Sequence, residues 1–146
     1  MTARPKSLEQ FIWELRRLFR ELAATADREL APLRVEARDR AFLEFLAREQ
    51  APVSLSGLAR KHAVSRQYIH QVLRKLPDRA WVEEVRDPED SRTVLLRLSR
   101  KGREKWKSIR QVDRALLRSL ARRLNEEQLT SATGLIRRLR QVLPQR

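Results

Sequence analysis

The sequence has no cysteine, only two histidines and three glycines, and aromatic residues make up 5% of its 146 residues. The missing cysteines exclude disulfides, zinc–thiolate sites, iron–sulfur clusters and thiol-based redox sensing within this chain. Two histidines are too few for a typical metal site, so we predict neither a metal ion nor a cofactor. Gly-rich phosphate loops and nucleophile–base pairs are also missing, and we predict that the chain is not an enzyme.

Long hydrophobic runs are missing as well. No apolar run approaches the roughly 18 residues that a membrane helix needs, and the first ten residues, MTARPKSLEQ, lack the apolar core of a signal peptide. We therefore expect a cytoplasmic, prokaryotic protein without membrane contact. The length predicts one domain with a core that needs no covalent staples.

Positive charge is abundant, with 33 Lys and Arg against 19 Asp and Glu and a net charge of +14. The excess is concentrated in two regions: residues 51–80 carry 6 basic and 1 acidic side chains, and residues 99–146 carry 14 and 4. A basic surface is typical of a polyanion-binding protein. The alternative is codon bias, since 27 of the 33 basic residues are Arg, as a GC-rich genome would produce.

Residues 54–98 contain the most informative pattern. Ser54 is the expected N-cap of a short helix over 55–62. After a two-residue turn, Ser65 caps a second helix that we place at 65–76. Hydrophobic residues on either side of that cap fit a hydrophobic staple, which supports the start of the helix.

The second helix has an apolar stripe formed by Ile69, Val72, Leu73 and Leu76. This stripe turns the polar residues of the same helix away from the core. The polar residues are Arg66, Gln67, His70, Gln71 and Arg74, with Tyr68 and Lys75 on the flanks.

Two strands and a charged turn follow that helix. Residues 81–85 and 93–98 are rich in Val, Leu, Thr and Trp, and the six residues 86–91 have the composition of a turn. A helix-turn-helix followed by a β-hairpin is a winged helix-turn-helix, whose second helix typically lies in the major groove of DNA.

Helices also precede this stretch. The spacing of apolar residues predicts a helix over 8–26 with Ser7 as its N-cap, followed by a linker at Ala31–Pro32. Another helix is predicted over 35–49, and Pro52 lies just beyond its end.

The C-terminal third is predicted to be helical. Ser99 is a candidate N-cap for a helix that keeps its apolar spacing as far as Leu124, and Asn125 caps a last helix. The apolar stripes of the terminal helices are too long for a small winged domain to cover. We therefore predict a homodimer in which these helices cover each other.

The predicted fold class is mainly α with a small β-hairpin wing (α+β). We assign the winged helix-turn-helix to 34–98 and dimerisation helices to 1–33 and 99–146, all within a single unit, 1–146.

At this point the chain resembles the multiple-antibiotic-resistance regulator (MarR) family of transcription factors over essentially its whole length. The most specific match is in the wing, where DPEDSR (87–92) is followed by VLLRLS (94–99) and Gly102. Two departures are notable: Ala63 and Ala80 occupy positions where the family usually has Gly.

The resemblance implies a dimer that binds a pseudo-palindromic operator in double-stranded DNA. It implies that residues 65–71 enter the major groove, that Arg92 enters the adjacent minor groove, and that Asp90 holds this arginine in place. It also implies a repressor released by a small-molecule effector, although the sequence does not identify the ligand-binding residues. The predicted DNA-binding residues are Ser65, Arg66, Gln67, Tyr68, His70, Gln71, Arg74, Lys75, Arg86, Asp90 and Arg92.

Some of these sequence features also allow a second interpretation. The alternative function is a non-specific or architectural nucleic-acid-binding protein, which the charge excess favours. His62 is expected to be a half-buried, hydrogen-bonded core residue. The Arg110, Arg114, Arg118 and Arg122 series, with i, i+4 spacing, is either a solvated face or an extra contact to a DNA backbone or an acidic partner.

Overall fold

Six α-helices and three short strands follow one another along residues 2–144, which are the residues that the computed structural model describes. They are α1 Pro5–Leu30, α2 Ala37–Ala47, β1 Val53–Ser54, α3 Leu55–Lys61, α4 Arg66–Lys75, β2 Val82–Arg86, β3 Val94–Leu98, α5 Arg100–Ala121 and α6 Glu126–Val142. Two compact units are present: one ends at Arg110 and the other begins at Gln111. The assignment of 1–146 to a single unit stays a prediction.

The first helix begins earlier than the sequence predicted. Pro5 occupies its first turn and Arg4 is the N-cap, with no side-chain hydrogen bond. The proline fixes a helical φ angle and needs no hydrogen bond at that position, so Ser7 lies inside the helix and the prediction of a Ser7 cap is wrong. The predicted linker at Ala31–Pro32 is a 3-10 turn that ends at Arg34, in a left-handed conformation with φ 54°.

Helix α2 is shorter than predicted at both ends, and a capping box fixes its N-terminus. The Glu36 backbone N–H donates to the Asp39 carboxylate at 3.0 Å, and the Glu36 side chain accepts from the backbone of the third helical residue. The Asp39 side chain is only 1% exposed and lies 3.5 Å from the Arg38 guanidinium.

The three strands form one antiparallel sheet in the order β1-β3-β2. Val82 lies opposite Leu98 and Arg86 lies opposite Val94, so β2 and β3 form the predicted hairpin. Residues Val53 and Ser54 add the short third strand on the other side of β3. Trp81, predicted as the first strand residue, instead ends a 3-10 turn, Arg79–Trp81, and is buried.

The first unit has a continuous hydrophobic core. Its fully buried side chains come from α1 to α5 and include Leu30, Phe42, Leu58, Ile69 and Ile109. The start of α5 is packed very closely against the chain before β2: a Cβ on Gly102 would lie 2.0 Å from the Trp81 carbonyl oxygen. Glycine is therefore required at this position, because any side chain would overlap the backbone.

Several helices expose large apolar side chains. In α1, Phe19 is 74% exposed and Trp13 is 54% exposed. In the second unit, none of the described side chains of α6 is buried, and Leu135 is 50% exposed. The described chain thus leaves amphipathic helices with uncovered apolar faces.

Candidate nucleic-acid interface

Helix α4 is fixed by its cap and its apolar face. The Ser65 hydroxyl oxygen accepts a hydrogen bond from the Tyr68 backbone N–H at 3.0 Å. Ile69, Val72 and Leu73 are buried against the rest of the first unit. Because these three residues share one side of the helix, the opposite side must face solvent.

The side of α4 that faces solvent consists of the predicted polar residues. All are exposed, and none has a side-chain hydrogen bond or an ion pair within the described part of the chain. They are Arg66, Gln67, His70, Gln71, Arg74 and Lys75, while Tyr68 is half-buried. Unused donors and acceptors on one exposed helix face can reach base edges or phosphates without breaking any internal contact.

The turn between α3 and α4 contains an unusual backbone conformation. Ala63 has φ 53°, which lies in the left-handed region that favours glycine. Next to it, the His62 ring stacks on Phe45, with ring centroids 3.8 Å apart and an interplanar angle of 11°. This stacking holds the end of α3 against α2, as expected for a core residue.

The hydrogen bond predicted for His62 is missing: its buried Nε2 has no partner among residues 2–144. Burial lowers the pKa of the His62 imidazole, opposed by the Glu49 carboxylate and reinforced by the Lys61 ammonium group. A lowered pKa favours the neutral imidazole, which can remain stacked without a counterion.

The wing is shaped by Asp90. One carboxylate oxygen of Asp90 accepts from the Arg92 backbone N–H at 3.0 Å, and the other accepts from the Thr93 hydroxyl at 3.1 Å. The resemblance implied that Asp90 holds Arg92 in place. It does so through the backbone, and the Arg92 guanidinium is exposed and has no partner within residues 2–144.

The other cations of the hairpin, and Arg79 in the turn before it, are already engaged. The Arg86 guanidinium donates to the Ser91 carbonyl oxygen at 3.0 Å, which closes the wing. Arg97 pairs with Glu83 and Arg79 pairs with Glu84, each at 2.8 Å. Arg92 is therefore the cation of the wing that remains available to a ligand among the residues described, and Arg86 has a structural role that the sequence did not reveal.

One further candidate was missed from the sequence. Arg60 lies on α3, is exposed and has no side-chain partner in the described structure. In a helix-turn-helix, the first helix crosses the DNA backbone, so Arg60 is a candidate phosphate contact. The signal was present as a basic residue on the polar side of that helix.

Neither a metal site nor a membrane-spanning helix is found in the described part of the chain. Among residues 2–144, no group of three or more His, Cys, Asp or Glu side chains is arranged to hold a metal ion. No helix within these residues is sufficiently long and apolar to cross a membrane.

The comparisons with known proteins agree with this geometry. Residues 35–102 match the winged helix DNA-binding domain family, so this segment of the chain is similar to a winged helix domain. The chain has the fold of MarR family transcription regulators, several of which match it over most of its length. The predicted fold class is thus confirmed. No curated protein matches the chain.

Three solved structures illustrate the similarity. BldR from Sulfolobus solfataricus is 23% identical over 97% of this chain and 100% of that chain, with a TM-score of 0.79. Staphylococcus aureus MepR in complex with DNA is 17% identical over 91% of this chain and 98% of that chain, with a TM-score of 0.79. Staphylococcus aureus MarR in complex with salicylate and kanamycin is 16% identical over 95% and 93%, with a TM-score of 0.79.

Proposed function

We propose that the chain is a homodimeric, sequence-specific transcription regulator of the MarR type that binds double-stranded DNA. The observation that carries this proposal is the exposed polar face of α4, whose side chains have no partners in the described structure. In the proposed complex α4 lies in the major groove and the wing lies along the adjacent minor groove.

The chemistry of α4 suits base recognition. A glutamine amide can bind adenine through N6 and N7, and an arginine guanidinium can bind guanine through O6 and N7. Gln67, Gln71 and Arg66 supply these groups on the exposed side of the helix. The unpaired Arg92 of the wing suits a narrow minor groove, where the negative potential is strongest.

The exposed apolar faces support a homodimer. Leu8, Leu18 and Leu22 on α1 are between 41% and 50% exposed, and Leu129 and Leu135 on α6 are 40% and 50% exposed. Exposed leucines on an amphipathic helix indicate a protein contact, and a second copy of the chain offers identical faces across a two-fold axis. Such a dimer would bind a pseudo-palindrome with half-sites about 10 base pairs apart.

We further propose a repressor that a small molecule releases, acting in the cytoplasm on nucleoid DNA. The support is structural similarity to S. aureus MarR, whose structure contains salicylate and kanamycin. The test is release of bound operator DNA by such compounds, and an affinity that is unaffected by them would remove this part of the proposal.

Selection of binding sites from random DNA tests the main proposal. We expect a pseudo-palindrome that competes far better than random duplex of equal length. Gln67→Ala should relax the selected sequence, because it removes a base contact. Lys75→Ala is the matched control on the same helix, and it should lower affinity for all sequences alike. Selection that returns no preferred sequence would contradict the proposal.

The second candidate is a non-specific, architectural DNA-binding protein, which the net charge of +14 favours. It predicts a steep dependence of affinity on salt with little difference between sequences. The selection experiment decides between the two candidates.

A further inference from the structure

Most of the net positive charge of the chain lies outside the winged domain taken as a whole. Residues 34–98 carry 13 basic and 10 acidic side chains, whereas residues 99–146 carry 14 and 4. Contacts of α4 and the wing with DNA therefore do not account for most of the net positive charge. The second unit, which begins at Gln111, itself carries 8 basic and 3 acidic side chains.

Three of them form a stripe along one side of α5 and its end. Arg114 and Arg118 lie in the last two turns of the helix, and Arg122 follows its last residue, Ala121. All three are exposed. Residues four apart lie above one another on a helix, and two such steps cover about 12 Å at the helical rise per residue. We call Arg114, Arg118 and Arg122 the arginine stripe.

The arginine stripe has no internal partner. None of its three guanidinium groups makes an ion pair, a hydrogen bond or a ring contact with any other residue among 2–144. Within the helix, the positions three and four residues away hold Arg110, Gln111, Ala115, Leu117, Ser119, Ala121 or another arginine of the stripe. No carboxylate therefore lies three or four residues from these arginines within the helix.

Several other helical arginines, one of them at the start of α5 itself, face a carboxylate. At the same spacing of four residues, Arg17 faces Glu21 at 3.1 Å, Arg100 faces Glu104 at 3.4 Å, and Glu44 faces Arg48 at 2.8 Å. Opposite charges four residues apart stabilise a helix, and like charges at this spacing destabilise it. The arginine stripe thus carries a cost that nothing in the described structure offsets.

A bound polyanion would relieve the repulsion among the three arginines. The side chains along the stripe indicate which kind of polyanion fits it. Protein interfaces place aromatic and apolar side chains at their centre, and single-stranded nucleic acids need aromatic rings on which bases stack. No aromatic side chain lies between the arginines, and their neighbours along the helix are Ala115, Ser119 and Leu117, the last of which is 58% exposed. A line of arginines alone suits the sugar–phosphate backbone of double-stranded DNA.

We propose that the arginine stripe is a second contact surface for the backbone of double-stranded DNA, separate from α4 and the wing. It takes phosphates of any sequence, either in the flanks of the operator duplex or in a second duplex. The proposal rests on the proposed function only in that the protein binds DNA.

The test measures how the affinity of the full-length protein for a random-sequence duplex depends on salt. Each phosphate contact contributes about 0.9 to the slope of log K against log salt. The triple variant Arg114→Gln, Arg118→Gln, Arg122→Gln should lower that slope by about 2 to 3. The matched control, Arg137→Gln, Arg138→Gln, Arg140→Gln, removes the same charge from exposed positions of α6 and should change the slope much less.

A single substitution separates binding from folding. Arg118→Glu places a carboxylate between Arg114 and Arg122, so it should raise the melting temperature while lowering the affinity for random duplex. Arg114→Lys with Arg118→Lys keeps the charge and should keep the slope. Equal effects of the α5 and α6 triples, an unchanged slope, or a weakened dimer with an unchanged slope would overturn the proposal.

Two further arms distinguish the source of the phosphates. If the stripe contacts operator flanks, lengthening the operator duplex raises the affinity of the wild type but not of the α5 triple. If it contacts a second duplex, immobilised operator captures labelled random duplex only through the wild type. A wild type that binds no DNA contradicts the proposed function, whereas DNA binding that is insensitive to the α5 triple contradicts only this inference.

Discussion

At the scale of single residues, Ala63 has the clearest energetic consequence. Its φ of 53° places Cβ close to the backbone in a conformation that costs an L residue about 1 to 2 kcal/mol. Glycine adopts it without strain but loses more entropy on folding. We expect Ala63→Gly to raise the free energy of unfolding by about 1 kcal/mol, measured by urea denaturation.

The control for Ala63→Gly is the same substitution in a helix. Ala115 is exposed within α5, where Gly costs about 1 kcal/mol relative to Ala. Ala115→Gly should therefore lower the free energy of unfolding. If both substitutions destabilise the protein equally, the turn at Ala63 is not strained.

His62 makes stability depend on pH. Burial lowers its pKa in the folded chain, so in the pH range between the folded and unfolded pKa values the unfolded chain binds more protons. Stability is then fully present above the unfolded value of about 6.5 and decreases as the pH falls towards the folded value. Urea denaturation across this range should show that loss for the wild type and a smaller loss for His62→Gln. A pH dependence of stability that is the same in both proteins would contradict this role of His62.

At the scale of elements, the sequence predicted the start of a helix well where a Ser or Asn side chain caps it, but it missed the Glu36–Asp39 capping box of α2. The side chains of Ser54, Ser65 and Asn125 each accept from a backbone N–H as predicted, and the Ser99 hydroxyl accepts from the Gly102 N–H at 2.9 Å. Ser7 failed because Pro5 starts the helix earlier.

The candidate site could be predicted only in part. The exposed face of α4 follows from helical spacing, which turns polar residues outward once the apolar stripe is buried. The role of Arg86 depends on the Ser91 carbonyl across the hairpin, and backbone groups leave no trace in a sequence pattern. For Asp90, the resemblance implied the link to Arg92 but not that it is made through the Arg92 backbone N–H.

The wing supplies a prediction at this scale. Because the Arg92 guanidinium has no partner within residues 2–144, Arg92→Ala should leave stability almost unchanged and weaken operator binding by about 1 to 3 kcal/mol. Arg97→Ala is the control on the same hairpin, since Arg97 is paired with Glu83. Titrations at one salt concentration measure both. Equal losses of affinity would mean that Arg92 acts only through net charge.

At the scale of the whole molecule, two features of the described chain are not balanced by contacts within it. One is apolar surface on the terminal helices, and the other is positive charge after residue 99. The first is what a second copy of the chain would cover, and the second is what a DNA backbone would neutralise. Sequence patterns predicted both the apolar faces and the excess of positive charge. A pattern in one chain does not specify which partner covers such a face.

The exposed apolar side chains of the terminal helices give a prediction for the homodimer. Phe19 lies in α1 and is 74% exposed, so its replacement removes little from the core of one chain. Phe19→Glu should shift the sedimentation coefficient from a dimer towards a monomer of 17.3 kDa and weaken operator binding in parallel. Ala24→Glu adds the same charge at an exposed position on the polar side of α1 and should leave the dimer intact. A wild type that sediments as a monomer at every concentration would refute the assembly, because the apolar faces would then be stable in water.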